Sequence, residues 1–314
     1  MVYLILVLSL IGIVLGADML VSGSVAIARR LRVSDFVIGA AIVGIGTSMP
    51  ELVVSFCGAL EGNADVAIGN VVGSNIFNVL GILGLTAMFF PVAIYNKNMK
   101  FEILFCIGVS LILIVLAFNF FNGSAACIGR IDGLVLILLF VGYMWNSFIR
   151  DKRNPEPTEQ AEEDTTPMWL AITKVLAGLA ILIFSCDTFV DNAVIVARKF
   201  GVNDAFISLT LIACGTSLPE LAASVVAAFK KNTQLALGNI VGSNIFNILL
   251  ILGVSSQVMP LTSVGITWVD YVVMMAAATV PLLFGFKGKI GRVGGLLMVA
   301  SFVLYTWYLL MSQG

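Results

Sequence analysis

The sequence contains no histidine, and only 11% of its 314 residues carry charge. The first absence removes the commonest transition-metal ligand and the usual general base. The second sets the chain far from soluble proteins, in which about 25% of residues are charged. Cysteine is sparse and never spaced as CxxC. Cys57, Cys106, Cys127, Cys186 and Cys214 lie in or beside apolar runs and read as small buried side chains. Basic residues sit in short loops and net charge is −1, so nothing points to nucleic acid. Segments alternating apolar and polar over about ten residues, the mark of a membrane β-barrel, are missing. The N-terminus has neither a basic leader nor a small-residue cleavage site, and it reads as a first spanning helix.

What is there is apolar. Mean hydropathy is +1.06, and runs of about 20 apolar residues recur along the whole chain. The pattern predicts an all-α polytopic membrane protein with ten spans, at about 2–28, 34–60, 67–91, 99–119, 130–149, 168–197, 203–229, 236–260, 266–286 and 292–311. The one long polar stretch, 150–167, holds Pro155, Pro157, Pro167 and the acidic run Glu156, Glu159, Glu162, Glu163 and Asp164. It is expected to be a solvated linker between 1–149 and 168–314. Most Lys and Arg fall at one set of span ends: Arg29, Arg30, Arg32, Lys97, Lys100, Arg150, Lys152, Arg153, Lys230, Lys231, Lys287, Lys289 and Arg292. Only Arg130, Arg198 and Lys199 fall at the other. This bias predicts a cytoplasmic linker and both termini outside a cell membrane.

The chain repeats itself. Residues 44–51 read GIGTSMPE and 213–220 read ACGTSLPE; 69–78 read GNVVGSNIFN and 238–247 read GNIVGSNIFN. The separation of 169 residues also pairs Asp18 with Asp187, Arg29 with Arg198, Asp35 with Asp204 and Pro91 with Pro260. Each half holds five spans, and an odd number makes the second half enter from the opposite side. The halves are therefore expected to be inverted repeats.

Glu51 and Glu220 fall near the middle of the second and seventh spans. An ionised carboxylate at the bilayer centre needs a cavity, a partner or an ion, and no basic residue lies at matching depth. Pro50 and Pro219 cannot donate to the carbonyls of Gly46 and Gly215, so these spans are expected to break and bare backbone oxygens at a cavity. Thr47 and Ser48 stand four and three residues before Glu51, on its face of the helix, as Thr216 and Ser217 do for Glu220. The third and eighth spans, also read as broken, carry polar stripes at intervals of four: Asn70, Ser74, Asn78 and Asn239, Ser243, Asn247. Gly69 with Gly73, and Gly238 with Gly242, permit close helix contact. Such stripes can serve only as glue between helices, but two matched copies, each following a Glu helix, favour a site. The donors are all oxygen and suit hard cations, Ca²⁺ or Na⁺. Two ionised Glu balance one Ca²⁺ or two monovalent ions.

At these residues the chain resembles the cation/calcium exchanger superfamily, and most closely its prokaryotic sodium/calcium exchanger-like members. The GTSxPE and GNxxGSNIFN pairs match that family's two α-repeats, and the ten-span inverted plan extends the likeness over nearly the whole chain. The resemblance implies Ca²⁺ held by Glu51 and Glu220 with the carbonyls of Thr47 and Thr216. It implies Na⁺ at Ser48, Ser74, Ser217, Ser243 and the carbonyls of Gly44 and Ala213, with Asn78 and Asn247 between the halves. It further implies sliding of the first and sixth spans against the other eight, with no enzymatic activity and no cofactor beyond the transported ions. Met49 replaces the family's usual Leu. Asn247 stands where many sodium-coupled members and the potassium-dependent ones carry Asp, which argues against potassium co-transport and keeps both Na⁺ and H⁺ as counter-ions.

The expected function is a Ca²⁺/Na⁺ antiporter in the cell membrane, working as a monomer in the lipid bilayer, with a Ca²⁺/H⁺ antiporter as the alternative. An intramembrane hydrolase using Ser48 or Ser217 would lack any base to activate them. A channel fits poorly with an inverted repeat of broken helices. Asp18 and Asp187 are expected either to gate ion entry or to bond to neighbours: Ser22 for the first, Thr188 and Asn192 for the second. Asp35 and Asp204 follow Ser34 and Asn203 at helix starts, where capping is expected.

Overall fold

The computed structural model describes residues 1–94, 97–118, 127–153, 166–200, 214–262, 265–285 and 288–312. The described chain is almost entirely helical. In order the helices are α1 (Val2–Leu31), α2 (Asp35–Thr47), α3 (Met49–Leu60), α4 (Ala64–Phe89), α5 (Lys97–Phe118), α6 (Arg130–Arg153), α7 (Met168–Lys199), α8 (Leu218–Phe229), α9 (Thr233–Val258), α10 (Trp268–Gly285) and α11 (Arg292–Ser312). Eight of them are long and apolar enough to cross a membrane. The α2–α3 pair, bent by 47°, makes a ninth. Of the predicted seventh span, α8 is the described half, and 203–213 lies outside the described residues.

The break in the second span falls where expected. Ser48 leaves helical geometry (φ −84°, ψ 11°), and Pro50 occupies the first turn of α3, where its missing N–H removes no bond. The third and eighth spans correct the reading, because they run through without a break. Each instead widens into a π-helical segment, Phe77–Leu83 in α4 and Asn247–Ile251 in α9. Gly39–Gly44 in α2 does the same. A π-turn shifts side-chain register without stopping the helix, and these segments contain Gly44, Asn78 and Asn247. The stretch read as linker also shrinks: α6 continues to Arg153 and buries Asp151, whose Oδ2 accepts from the Ser34 amide at 2.6 Å. Residues 154–165 are not among those described.

Contacts between connectors sort the helix ends into two groups. Arg30 Nε donates to Thr166 O (2.9 Å), Asn232 Nδ2 donates to Asp35 Oδ2 (2.8 Å), and Val92–Ala93 pairs antiparallel with Lys289–Ile290. In the other group, Ile128 bridges to Leu261 and the Gly265 amide donates to Asp65 Oδ1 (2.9 Å). Asp35 itself follows Ser34, which caps α2 by accepting from the Val37 amide (3.3 Å). Asn203 and Asp204 fall outside the described residues.

The centre of the bundle is α4 with α9, and α9 is the most enclosed helix. Its glycines explain how. A Cβ on Gly238 would lie 2.1 Å from Phe36 O, and one on Gly242 would lie 2.4 Å from Ala40 Cα, so α2 lies directly on α9. The matching pair on α4 does not behave this way. A Cβ on Gly69 would meet only the Ile266 side chain, at 3.1 Å, and one on Gly73 would meet nothing within 4 Å. To one side, α1 and α7 pack antiparallel at Gly16 and Gly178, where an added Cβ would sit 2.6 Å from a backbone nitrogen of the partner helix. Outward surfaces carry large exposed apolar side chains such as Leu8, Leu138, Trp145, Phe184 and Trp307, as a lipid-facing surface requires. Cys106 and Cys186 are buried as expected, whereas Cys57 is exposed on α3.

Candidate ion-binding site

Glu51 and Glu220 sit in the first turns of α3 and α8, directly after the Ser48 and Ser217 corners, and neither is exposed to solvent. Their partners come from the opposite half. Ser48 Oγ donates to Glu220 Oε1 at 2.6 Å, and Ser217 Oγ donates to Glu51 Oε1 at 2.7 Å. Spacing placed each serine on the face of its own glutamate; the tertiary structure sends its hydroxyl across. Ser217 and Ser74 also lie within hydrogen-bond distance, 3.1 Å, and Ser243 Oγ donates to Gly44 O at 3.2 Å. Thr47 Oγ1 bonds Val43 O (2.9 Å) and approaches Asn239 Oδ1 (3.2 Å).

Of the bare carbonyls expected at Gly46 and Gly215, the one at Gly215 is corrected. Gly215 O accepts from the Leu218 amide at 3.2 Å, and Gly44 O accepts from the Ser48 amide at 3.1 Å. Ala213 lies outside the described residues. Asn70 and Asn239 are scaffold. Asn70 Nδ2 donates to Glu51 O and Ser55 Oγ, and Asn239 Nδ2 donates to Glu220 O and Ser224 Oγ.

Two asparagines without an assigned role in the sequence reading organise the centre. Asn75 Nδ2 donates to Asn244 O and Asn244 Nδ2 donates to Asn75 O, both at 3.2 Å. A backbone carbonyl can only accept, so these bonds fix which way each amide faces. The Oδ1 atoms of Asn75 and Asn244 must then accept, and they do: Asn78 Nδ2 donates to Asn244 Oδ1 and Asn247 Nδ2 donates to Asn75 Oδ1, each at 3.0 Å. The outcome is that Asn78 and Asn247 present their own oxygens elsewhere. The signal was in the repeat, since both residues belong to the duplicated GSNIFN, but one position off the stripe of four.

Around the two glutamates, four buried carboxylate and amide oxygens have no hydrogen-bond partner, Glu51 Oε2, Glu220 Oε2, Asn78 Oδ1 and Asn247 Oδ1, and neither has the Thr216 hydroxyl; other such atoms, among them Glu102 Oε2 and Asp151 Oδ1, lie away from the site. A buried unsatisfied acceptor costs about 1–3 kcal/mol, and more when charged. Four of them, all acceptors and drawn from two duplicated motifs, make a donor set that suits a cation. Among the described residues no cluster of three or more acidic or thiol side chains could hold a metal. A hard cation here would add amide, hydroxyl and backbone oxygens, or water, to the two carboxylates.

The comparisons with known proteins agree with this chemistry. The sodium/calcium exchanger protein family matches residues 1–149 and 170–311. The putative antiporter CaxA of Alkalimonas amylolytica is 40% identical, over 97% of this chain and 98% of its own. The sodium/calcium exchanger MaX1 of Methanosarcina acetivorans is 31% identical, over 96% of this chain and 97% of its own. The sodium-calcium exchanger NCX_Mj, in a crystal soaked with zero Na⁺ and Ca²⁺, superposes with a TM-score of 0.83 at 32% identity, covering 98% of both chains. The protein is a transporter and not an enzyme: it belongs to the sodium/calcium exchanger family of membrane antiporters.

Proposed function

We propose that the protein exchanges Ca²⁺ for Na⁺ across the cell membrane by alternating access, with the ions held between Glu51 and Glu220. The observation that carries this reading is the set of four unpartnered buried oxygens, two carboxylate and two amide. Ca²⁺ takes six to eight oxygens; Ser48, Ser217, Ser74, Ser243 and the carbonyls of Thr47, Thr216, Gly44 and Ala213 are the further donors. Two carboxylates are neutralised by one Ca²⁺ or by two Na⁺, so either load lets the site cross a low-dielectric barrier, whereas the empty site is held back by its charge.

The proposed architecture is ten spans in two inverted repeats, 1–149 and 168–314, joined by a cytoplasmic linker, with both termini outside. The reciprocal bonds between Asn75 and Asn244, and between each serine and the opposite glutamate, support a twofold relation between halves. Antiparallel packing of the equivalent helices α1 and α7 supports an axis in the membrane plane. All donors come from one chain, so a monomer suffices.

Ca²⁺ uptake into proteoliposomes under single imposed gradients tests the reading. A Na⁺ gradient should drive uptake, and K⁺ and pH gradients should not. Uptake driven by a pH gradient alone would replace Na⁺ by H⁺, the alternative that stands because Glu51 and Glu220 can themselves take protons.

A further inference from the structure

Asp18 lies within α1 and its carboxylate finds no partner in Ser22, whose hydroxyl instead donates to the Asp18 backbone carbonyl (2.7 Å). The carboxylate pairs with Lys230, the C-cap residue of α8, with Nζ 2.7 Å from Oδ1. The same Nζ lies 3.3 Å from the Asp18 carbonyl oxygen. The lysine thus clips α1 to the end of the helix that carries Glu220, and α1 packs along α8 beside this clip. At the equivalent place in the other half stand Asp187 of α7 and Glu61, the C-cap residue of α3. Both are acidic and both are exposed. Thr188 and Asn192 donate to Phe184 O and Thr188 O, not to Asp187. Among the described residues α7 makes no comparable packing with α3. A glutamate is also poorly placed at a helix C-terminus, where a lysine is favoured.

The site's surroundings share this asymmetry. Gly46 and Thr47 are buried, whereas Gly215 and Thr216 are half-buried. Over these four residues, the Lys230 side of the site is the more enclosed of the two.

We propose that Lys230 is a positioning residue for transport: its ion pair with Asp18 latches the α1–α7 unit in the state closed at the Lys230 face, and Glu61 with Asp187 denies the opposite state a matching latch. The proposal rests on the alternating-access reading, and it goes beyond it by assigning the energetic bias between the two states to one charge difference between the repeats. Closing the other face brings two carboxylates together, so that state is the less favoured.

The test uses Lys230→Ala, Lys230→Glu, the swap Asp18→Lys with Lys230→Asp, and Glu61→Lys, in the full chain in lipid nanodiscs. Hydrogen exchange is read at residues 18–31 and 222–230. Lys230→Ala and Lys230→Glu should speed exchange there by about two- to five-fold, the range expected of one partly exposed ion pair, and the swap should restore protection. In proteoliposomes the ratio of apparent Ca²⁺ KM between the two faces should shift in one direction for Lys230→Ala. It should shift in the same direction for Glu61→Lys, which gives the state closed at the Glu61 face the latch it lacks. A merely structural lysine would not share its shift with a charge change at the opposite end of the site. Unchanged exchange in both Lys230 variants, a swap that does not restore it, or shifts of opposite sign would overturn the latch. Loss of Ca²⁺ exchange in the wild type would instead overturn the transport reading, and leaves the exchange measurement interpretable.

Discussion

At the scale of single residues, the site is a matter of which oxygens are left over. Glu51 and Glu220 each place one oxygen on a serine of the other half and keep one free. Glu51→Gln or Glu220→Gln replaces one carboxylate oxygen by an NH₂ donor and removes one of two charges. Each variant should abolish Ca²⁺ uptake in proteoliposomes while inserting at wild-type level on a membrane-fraction blot; normal exchange by either would remove it from the site. Asn244→Ala strips Asn78 of its acceptor and the Asn75 carbonyl of its donor, at about 1–3 kcal/mol for each buried group left unpaired. The Asn78 amide is then free to turn, and the expected result is a raised apparent KM for Ca²⁺ of tenfold or so, larger than the drop in maximal rate. Asn75→Ala should match it through Asn247.

At the scale of elements, the two halves share a motif but not an environment. Gly238 and Gly73 both come from the duplicated GNxxGSNIFN, yet one presses on the Phe36 carbonyl and the other faces open space. Gly238→Ala should destabilise the protein by about 1–3 kcal/mol through overpacking, read as a lowered melting temperature in detergent. Gly73→Ala should leave it unchanged or slightly raised, because alanine is the better helix former and meets nothing. The π-helical segments belong to this scale too. They hold Gly44, Asn78 and Asn247 at the site without the full break that the second span shows at Ser48.

At the scale of the whole molecule, the unit that moves is suggested by how it is packed. The α1–α7 pair is joined through glycines at Gly16 and Gly178 and packs on α2 and α8. Close glycine contact makes α1 and α7 a tightly joined pair, as the proposed sliding of that pair against the other helices requires. Gly16→Leu should separate them and lower the exchange rate more than it changes apparent Ca²⁺ affinity, measured as initial flux against Ca²⁺ concentration. Class and repeat were legible in the chain because hydropathy and a separation of 169 residues need no third dimension. The break at Ser48 was legible because proline acts within its own turn. The roles of Asn75 and Asn244 were not, because a stripe at intervals of four excludes them and their partners lie 169 residues away. The contrast between Gly73 and Gly242 was hidden for the same reason, since nearly identical local sequence meets different neighbours.

From the sequence alone it follows that this is a multi-span membrane protein, that two carboxylates fall inside apolar runs, and that the polar side chains spaced beside them offer oxygens. These properties follow from composition and local spacing. Only the tertiary structure decided that each serine serves the opposite glutamate, that the Asn75–Asn244 pair turns two amide oxygens free, and that Lys230 reaches Asp18. Helical periodicity states which side chains share a face. Which helix lies against that face, and so which lone pairs stay free for a cation, is set by packing between segments distant in the chain.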